Sequence, residues 1–442
     1  MKSKIIIPLL MTSLLIVGCK RNNKPEEKKD SVTVNMEALI NQDKAATGYD
    51  IEFNYSDDYF DKSANTFNGD IAMISYGSAL AATYQESANA FFTTLGYDTI
   101  YVAPEYAGTP GEHTIGYSIA HKKINNSDML AISIRGFEYK AEWNDNFMMG
   151  ETGNHKGFDN QAQKIFTALK GVLETHSEYE NTKLWLTGYS RAGAVANVLS
   201  QKIITSDALS IAPENMYVYT FETPRGLTQE NAVKYPNVFN VINSADLITY
   251  VAPEGYGLYR CGTDIDIYSN RVERLLYNFD KNATLPTFVI SEGKYSTEQE
   301  YIKYIFTELL KEQSDPEKSL DTRERFVNNY QSKLGYLLGL FFTLDQSVVN
   351  QIMEAFNNMG PMDMLSLFAQ DGIYNFLKPF LDDNHVTYDD AQLKVSCDCL
   401  RNVLNIARTS GIVGVNNNNI QRVVNMHYPE VNYVLLKSYT GK

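Results

Sequence analysis

The chain has 442 residues, 44% hydrophobic and 21% charged, with 39 basic against 53 acidic side chains and a formal net charge of −14. At roughly 100–200 residues per domain this length holds two or three units, or one large α/β domain with an insertion. The acidic balance excludes a general nucleic-acid binder, which needs a basic face to displace counterions. Beyond the N-terminus no segment is long and apolar enough to span a bilayer, which excludes a polytopic membrane protein.

The N-terminus departs from the average. Seven Lys/Arg (Lys2, Lys4, Lys20, Arg21, Lys24, Lys28, Lys29) stand against three acids in residues 1–30. Lys2 and Lys4 precede an apolar run from Ile5 to Val17, thirteen residues long, which suits a signal-peptide core and is too short to span. The run ends Ile16-Val17-Gly18-Cys19, which resembles the lipobox of bacterial lipoproteins. That resemblance implies cleavage before Cys19 and a diacylglyceryl group on its thiol. Residues 1–18 are therefore predicted to be a signal peptide and 19–45 a flexible basic tether. The protein is expected at the bacterial cell envelope, on the extracytoplasmic side, anchored by lipid plus basic charge. Cys261, Cys397 and Cys399 remain. Three thiols make no disulfide framework, Cys397 and Cys399 are too close for an easy bridge, and no fourth ligand completes a metal site, so they read as buried or free thiols.

The body then proceeds from helix-spaced apolar residues over 68–97, stopping at Gly96, to β-rich runs at 98–103, 115–121 and 129–134. A helical stretch at 156–178 follows, and then strand and helix alternate: 183–188, 192–204, 216–221 and 238–243. Apolar strands alternating with amphipathic helices predict an α/β fold with a mostly parallel sheet covered on both faces. Gly188-Tyr189-Ser190-Arg191-Ala192-Gly193 sits where a buried strand gives way to a helix, the context of a nucleophile elbow. Ser190 is the candidate nucleophile. Ala192 stands at the second position after it, where Gly is usual, with Gly193 next in line.

At this point the sequence resembles the class 3 lipases, a branch of the α/β-hydrolase fold. The resemblance covers residues 50–265 and the C-terminal stretch, and rests on "ISIRGFEYKAEWNDNF" (132–147), "HKGFDNQA" (155–162), "LWLTGYSRAGA" (184–194), "NVINSADLITYVAP" (240–253) and "NMHYPEVNYVLL" (425–436). It implies the α/β-hydrolase fold and the triad order Ser, acid, His. Downstream of Ser190 only His385 and His427 occur; His385 lies in a polar connection and reads as surface, and His427, beside an apolar strand-like run, is the expected general base. Asp246, just past the strand 238–243, is the expected acid, with Asp264 and Asp266 competing from what looks like the wet face of a strand. The oxyanion donors are the backbone N–H of Arg191 and, by resemblance, that of Phe137, where the family usually carries Thr or Ser. Arg135, Trp143 and Asp145 are expected to brace that loop by a salt bridge and packing, His155 to cap or pack at its helix, and His113 and His121 to be structural. "NNNN" at 416–419 reads as a polar loop. No P-loop, dinucleotide fingerprint or zinc-spaced His cluster occurs, so no cofactor and no metal is expected.

His427 comes 181 positions after Asp246, more than the fold requires. Helical apolar spacing with many aromatics over 295–410 predicts a helical cap inserted at 266–410, between core segments 46–265 and 411–442. It is either a lid over an acyl groove or a subdomain packed on itself. The predicted function is a membrane-anchored serine hydrolase of lipid esters, triacylglycerol and phospholipid both fitting. The alternatives are a carboxylesterase of smaller esters, and a surface lipoprotein that binds lipid or protein on a hydrolase scaffold without catalysis. Cys19→Ala is expected to shift the protein from the membrane pellet into a soluble or unprocessed form; unchanged partition on cell fractionation rules the anchor out.

Overall fold

The computed structural model describes residues 30–107, 113–137, 142–209, 211–289, 295–310, 319–409 and 417–442. Cys19, the signal segment and the basic run lie outside them. Strand β1 (Asp30–Met36) pairs antiparallel with β2 (Tyr49–Tyr55). The predicted tether at 19–45 is corrected by this hairpin. Ser31 to Met36 alternates at period two, and Val32, Val34 and Met36 are buried in the same core as Ile51, Phe53 and Tyr55.

One helix was expected over 68–97; the chain forms α1 (Gly69–Ala81) and α2 (Gln85–Thr94). Asn68 caps α1, its side chain accepting from the N–H of Asp70 and of Ile71. α1 is buried around nearly its whole circumference; it ends where the buried Thr83 donates its hydroxyl to Leu80 O at 2.9 Å, and the chain reaches solvent at the exposed Tyr84.

The central sheet has seven strands. In chain order they are β3 (Asp98–Val102), β4 (Tyr117–Ile124), β5 (Ser127–Ile134), β6 (Lys183–Tyr189), β7 (Met216–Phe221), then β9 (Val238–Ile242) and β11 (Thr263–Asp266), with the two-residue strands β8 (Leu227–Thr228) and β10 (Leu258–Tyr259) pairing apart from the sheet. The spatial order is β11-β9-β7-β6-β5-β4-β3, parallel from β5 to β11 and antiparallel at the β3-β4-β5 edge. Between β5 and β6 run α3 (Trp143–Phe147) and α4 (Lys156–Thr175), and α5 (Arg191–Ile204) follows β6. Residues of β6 divide between the two faces. Leu184 and Leu186 pack with α4 and α5, whereas Trp185 and Tyr189 pack with α1. The indole Nε1 of Trp185 donates to Ser75 Oγ at 2.7 Å, so that ring is buried without an orphaned donor.

The insertion begins later than residue 266. α6 (Val272–Phe279) buries Val272 and Leu276 in the main core, and the Phe279 ring lies 4.8 Å from that of Tyr49. The cap proper comprises α7 (Glu298–Leu310), α8 (Arg323–Phe326), α9 (Ser332–Thr343), α10 (Gln346–Asn357), α11 (Pro361–Ser366), α12 (Gly372–Asp383) and α13 (Asp390–Thr409). Helices α9 to α13 bury Leu337, Val348, Ile352, Leu377 and Leu393 against one another, a core of their own.

Two further expectations are corrected. The Asn run opens a helix, α14 (Asn417–Asn425), because Val423, three residues beyond Ile420, buries against Tyr301 and Ile302 of the cap. The apolar run after His427 is a helix, α15 (Pro429–Thr440), with Pro429 preset in its first turn and Val431, Val434 and Leu435 on the face toward the core. Compared with a chain starting at Asp30, one starting at Glu37 loses three buried side chains worth about 1.5–3 kcal/mol each. Its melting midpoint is expected to fall by roughly 10 °C or more in a calorimetric scan.

Candidate active site

Ser190 follows β6 directly, with φ 58° and ψ −128°, a conformation that side-chain-bearing residues rarely adopt. Its N–H donates to Phe221 O at 2.8 Å, which ties the turn to β7. The turn is crowded on both sides. A Cβ on Gly188 would lie 2.4 Å from Ala192 O, and one on Gly193 would lie 2.5 Å from Thr223 Oγ1. The close approach on the helix side therefore falls at 193, and the buried Ala192 methyl is accommodated where the usual pattern has Gly.

Asp246 and His427 come to this turn from distant parts of the chain. Asp246 lies beyond the end of β9, is fully buried, and its Oδ1 accepts from Ile248 N at 2.9 Å. His427 sits between α14 and α15; its Nδ1 is 2.6 Å from Asp246 Oδ2 and its Nε2 is 3.0 Å from Ser190 Oγ. A carboxylate can only accept, so Nδ1 carries the proton and Nε2 faces the serine hydroxyl with a lone pair. Asp264 is instead paired with Arg260 at 2.7 Å, Asp266 accepts from the N–H of Ser244 and of Tyr268, and His385 is exposed in the cap.

The His427 turn is held by residues that no sequence pattern singled out. Tyr189 Oη donates to His427 O at 2.6 Å and Tyr76 Oη to Pro429 O at 2.8 Å. The side-chain amides of Asn243 and Asn432 both donate to Met426 O at 3.1 Å. Burial pushes the hydroxyls of Tyr76 and Tyr189 well above the usual tyrosine range, so they stay protonated donors.

Both predicted oxyanion donors flank the elbow. Arg191 is the first residue of α5, where N–H groups have no carbonyl partner within the helix. Phe137 packs its ring 4.9 Å from Tyr189, and a Cβ on the preceding Gly136 would lie 2.4 Å from Tyr189 O. The expected brace is corrected in its acid: Arg135 pairs with Glu142 at 2.8 Å, not with Asp145. Arg191 reaches the other oxygen of Glu142 at 2.7 Å, Gly116 N donates to it at 2.6 Å, and all three charged side chains are buried. Arg191 also donates to Gln161 at 2.6 Å. Asp145 takes Gln161 at 2.7 Å and His113 at 3.1 Å instead, and the Trp143 side chain lies outside the described atoms. Glu142 was missed because in "YKAEWND" it is one charge among several and only the fold makes it central.

The remaining candidates are structural. His155 caps α4 and stacks on Phe158 at 4.0 Å, with burial lowering its pKa to about 3, so it is neutral. His121 pairs with Asp128 at 2.8 Å. Cys261, Cys397 and Cys399 are free and buried, and burial pushes their thiols up to about 12, 12 and 11. The cap seats on two loops beside the site. Arg323 donates to the carbonyls of Met149, Gly150, Thr152, Gly153 and Asn154, and Phe306 of α7 stacks on Tyr250 near the acid.

Residues 130–256 match the family model of Lipase (class 3), a window running from β5 through Ser190 and Asp246. Over that window the chain is similar to the class 3 lipases, and the match supports a serine ester hydrolase. Solved structures similar to it include a fungal lipase–inhibitor complex, 17% identical over 47% of this chain and 83% of that one with a TM-score of 0.39. Rhizomucor miehei triacylglyceride lipase is 16% identical over 47% and 83%, with a TM-score of 0.34. Lipase II from Rhizopus niveus is 17% identical over 46% and 83%, with a TM-score of 0.35. Among curated proteins no sequence matches this chain. In this chain, Glu142→Ala leaves two buried guanidiniums without their carboxylate, and is expected to lower the unfolding free energy by about 3–5 kcal/mol in denaturant titration.

Proposed function

We propose that this hydrolase cleaves carboxylic esters of lipids through an acyl-enzyme on Ser190, and does so from the extracytoplasmic face of a bacterial membrane to which Cys19 ties it. The observation that carries the reading is the line from Asp246 Oδ2 through His427 to Ser190 Oγ, 2.6 and 3.0 Å long, on a strained strand-to-helix turn. His427 Nε2 takes the Oγ proton as the oxygen attacks the ester carbonyl carbon. The negative charge that forms on the carbonyl oxygen meets the N–H of Arg191 and of Phe137. When the ester C–O bond breaks, His427 returns the proton to the departing alcohol. Water then attacks the acyl-enzyme with His427 again as base, releasing the fatty acid and the free serine. Asp246 holds the Nδ1–H tautomer throughout and stabilises the imidazolium. The lipobox-like Ile16-Val17-Gly18-Cys19 supports the anchor, and the lipase family match supports the lipid substrate.

The test is hydrolysis of 4-nitrophenyl esters of short and long acyl chains, beside labelling by a fluorophosphonate. Ser190→Ala is expected to abolish both turnover and label, and Asp246→Asn to lower kcat by about 10³- to 10⁴-fold. A preference for long chains supports lipid esters, whereas turnover confined to short chains replaces them with small esters. A folded protein that neither turns over nor takes the label, even with lipid micelles present, is a binding scaffold.

A further inference from the structure

Behind the triad acid stands a second carboxyl group for which the reaction above has no use. Glu222 comes one residue after β7, is fully buried, and has φ 47°, in the left-handed region that favours glycine. Its N–H donates to Val241 O at 3.0 Å, and its two carboxyl oxygens share the N–H of Asn243 at 3.2 and 3.0 Å. Asn243, whose N–H Glu222 takes, accepts in turn from the N–H of Asp246 at 2.8 Å, so the two acids are held side by side on one turn.

The surroundings decide where charge can reside. Asp266 of β11, Tyr76 of α1 and Tyr189 of β6 face Glu222, and His427 lies on the other side of Asp246. Arg260 reaches the carbonyl of the next residue, Thr223, but its ion pair is with Asp264 at 2.7 Å. Among the described residues no Lys or Arg makes an ion pair with Glu222 or Asp246. Two neighbouring carboxyls shut away from water, with no Lys or Arg among the described residues to offset them, retain one proton between them. Asp246 receives two donors, Ile248 N–H and His427 Nδ1–H, on separate oxygens. Glu222 receives one N–H, shared. The charge therefore rests on Asp246 and the proton on Glu222. Burial, and then the Asp246 charge, push the Glu222 carboxyl well above its usual range, in agreement.

We propose that Glu222 is a positioning residue of this active site: as the neutral acid it donates a hydrogen bond to Asp246 and so fixes the carboxylate that orients His427. The proposal rests on the triad reading given above. It makes the acid of this enzyme a carboxylic acid–carboxylate pair, in which a donor behind Asp246 holds that carboxylate in the orientation that meets His427 Nδ1–H.

Two variants of the full chain test it. Glu222→Gln keeps a donor without a titratable proton, and Glu222→Gly removes the side chain at a backbone angle that glycine adopts freely, so the fold is retained. The first readout needs no turnover. At pH 7 the infrared difference between wild type and Glu222→Gln is expected to show a carboxylic-acid C=O stretch; carboxylate bands in its place overturn the proposal. Stability gives the same answer by another route. The folded chain keeps a proton that the unfolded chain releases above its ordinary value of 4.5, so wild-type stability falls as pH rises from there toward the raised folded value, and Glu222→Gln lacks that slope. Equal slopes overturn the proposal. The second readout is turnover of a 4-nitrophenyl ester. Glu222→Gly is expected to lower kcat about tenfold or more with KM within about twofold, the loss of a hydrogen bond to a charged group, and Glu222→Gln to recover most of it. Wild-type kcat in Glu222→Gly, or a Glu222→Gln no better than Glu222→Gly, refutes the role. Residual turnover in Ser190→Ala would instead refute the triad reading, leaving the infrared and stability readouts to decide the proton on their own.

Discussion

The hydrogen bond from Ser190 N–H to Phe221 O holds the peptide after β6 in a conformation that a serine does not choose, and the layers above and below are built around that bend. It requires two glycines that carry no side chain into the turn, a helix starting at once at Arg191, and a neighbouring strand whose end lies level with β6. Parallel pairing of Tyr189 with Phe221 supplies the last of these. Such a bend persists only where its surroundings over-determine it. Here they do so through the buried Glu142, which receives Arg191 from the helix and Arg135 from the loop that carries Phe137. One carboxylate thereby locks the start of α5 to the loop that carries Phe137.

The other side of the site is set by polar groups buried under α1 and α15. Tyr189 and Asn432 share a hydrogen bond at 2.9 Å and between them hold the carbonyls on either side of the His427 turn, while Asn243 fixes the same turn from the acid loop. His427 is thus positioned by its backbone as well as by Asp246. This accounts for a chain in which the two residues lie 181 positions apart and still meet: the cap helices satisfy their own apolar faces and impose little on the turn they interrupt.

Much of this was legible in the sequence because it is written locally. Short apolar runs from 129 to 243 have the length and spacing of buried parallel strands, and the elbow is a contiguous string of residues. What escaped was decided by partners far along the chain. The alternation of Val32, Val34 and Met36 is too short to outweigh the polar text around it until Phe53 and Tyr55 offer a face. The run after His427 has apolar residues dense enough for strand or helix, and packing against α1 and α6 makes it a helix. Asp145 looked like the natural partner of Arg135, whereas Glu142, whose carboxylate lies between two guanidiniums, has the shorter reach to both. Glu222 had no signal at all, since a positive φ at a glutamate is visible only in three dimensions.

The seat of the cap on the 149–154 loop has an unusual chemistry for a charged side chain. Arg323 donates to five main-chain carbonyls, at 2.7 to 3.3 Å, and among the described residues to no carboxylate. Carbonyl oxygens offer a guanidinium much what water does, so exchanging one set of acceptors for the other strands no buried counter-charge. The same seat reads backbone rather than side chains, so residues 149–154 are free to drift in identity as long as their path is kept. A joint of this kind lets the cap and the catalytic body change independently, as two modules that agree only on the shape of one loop.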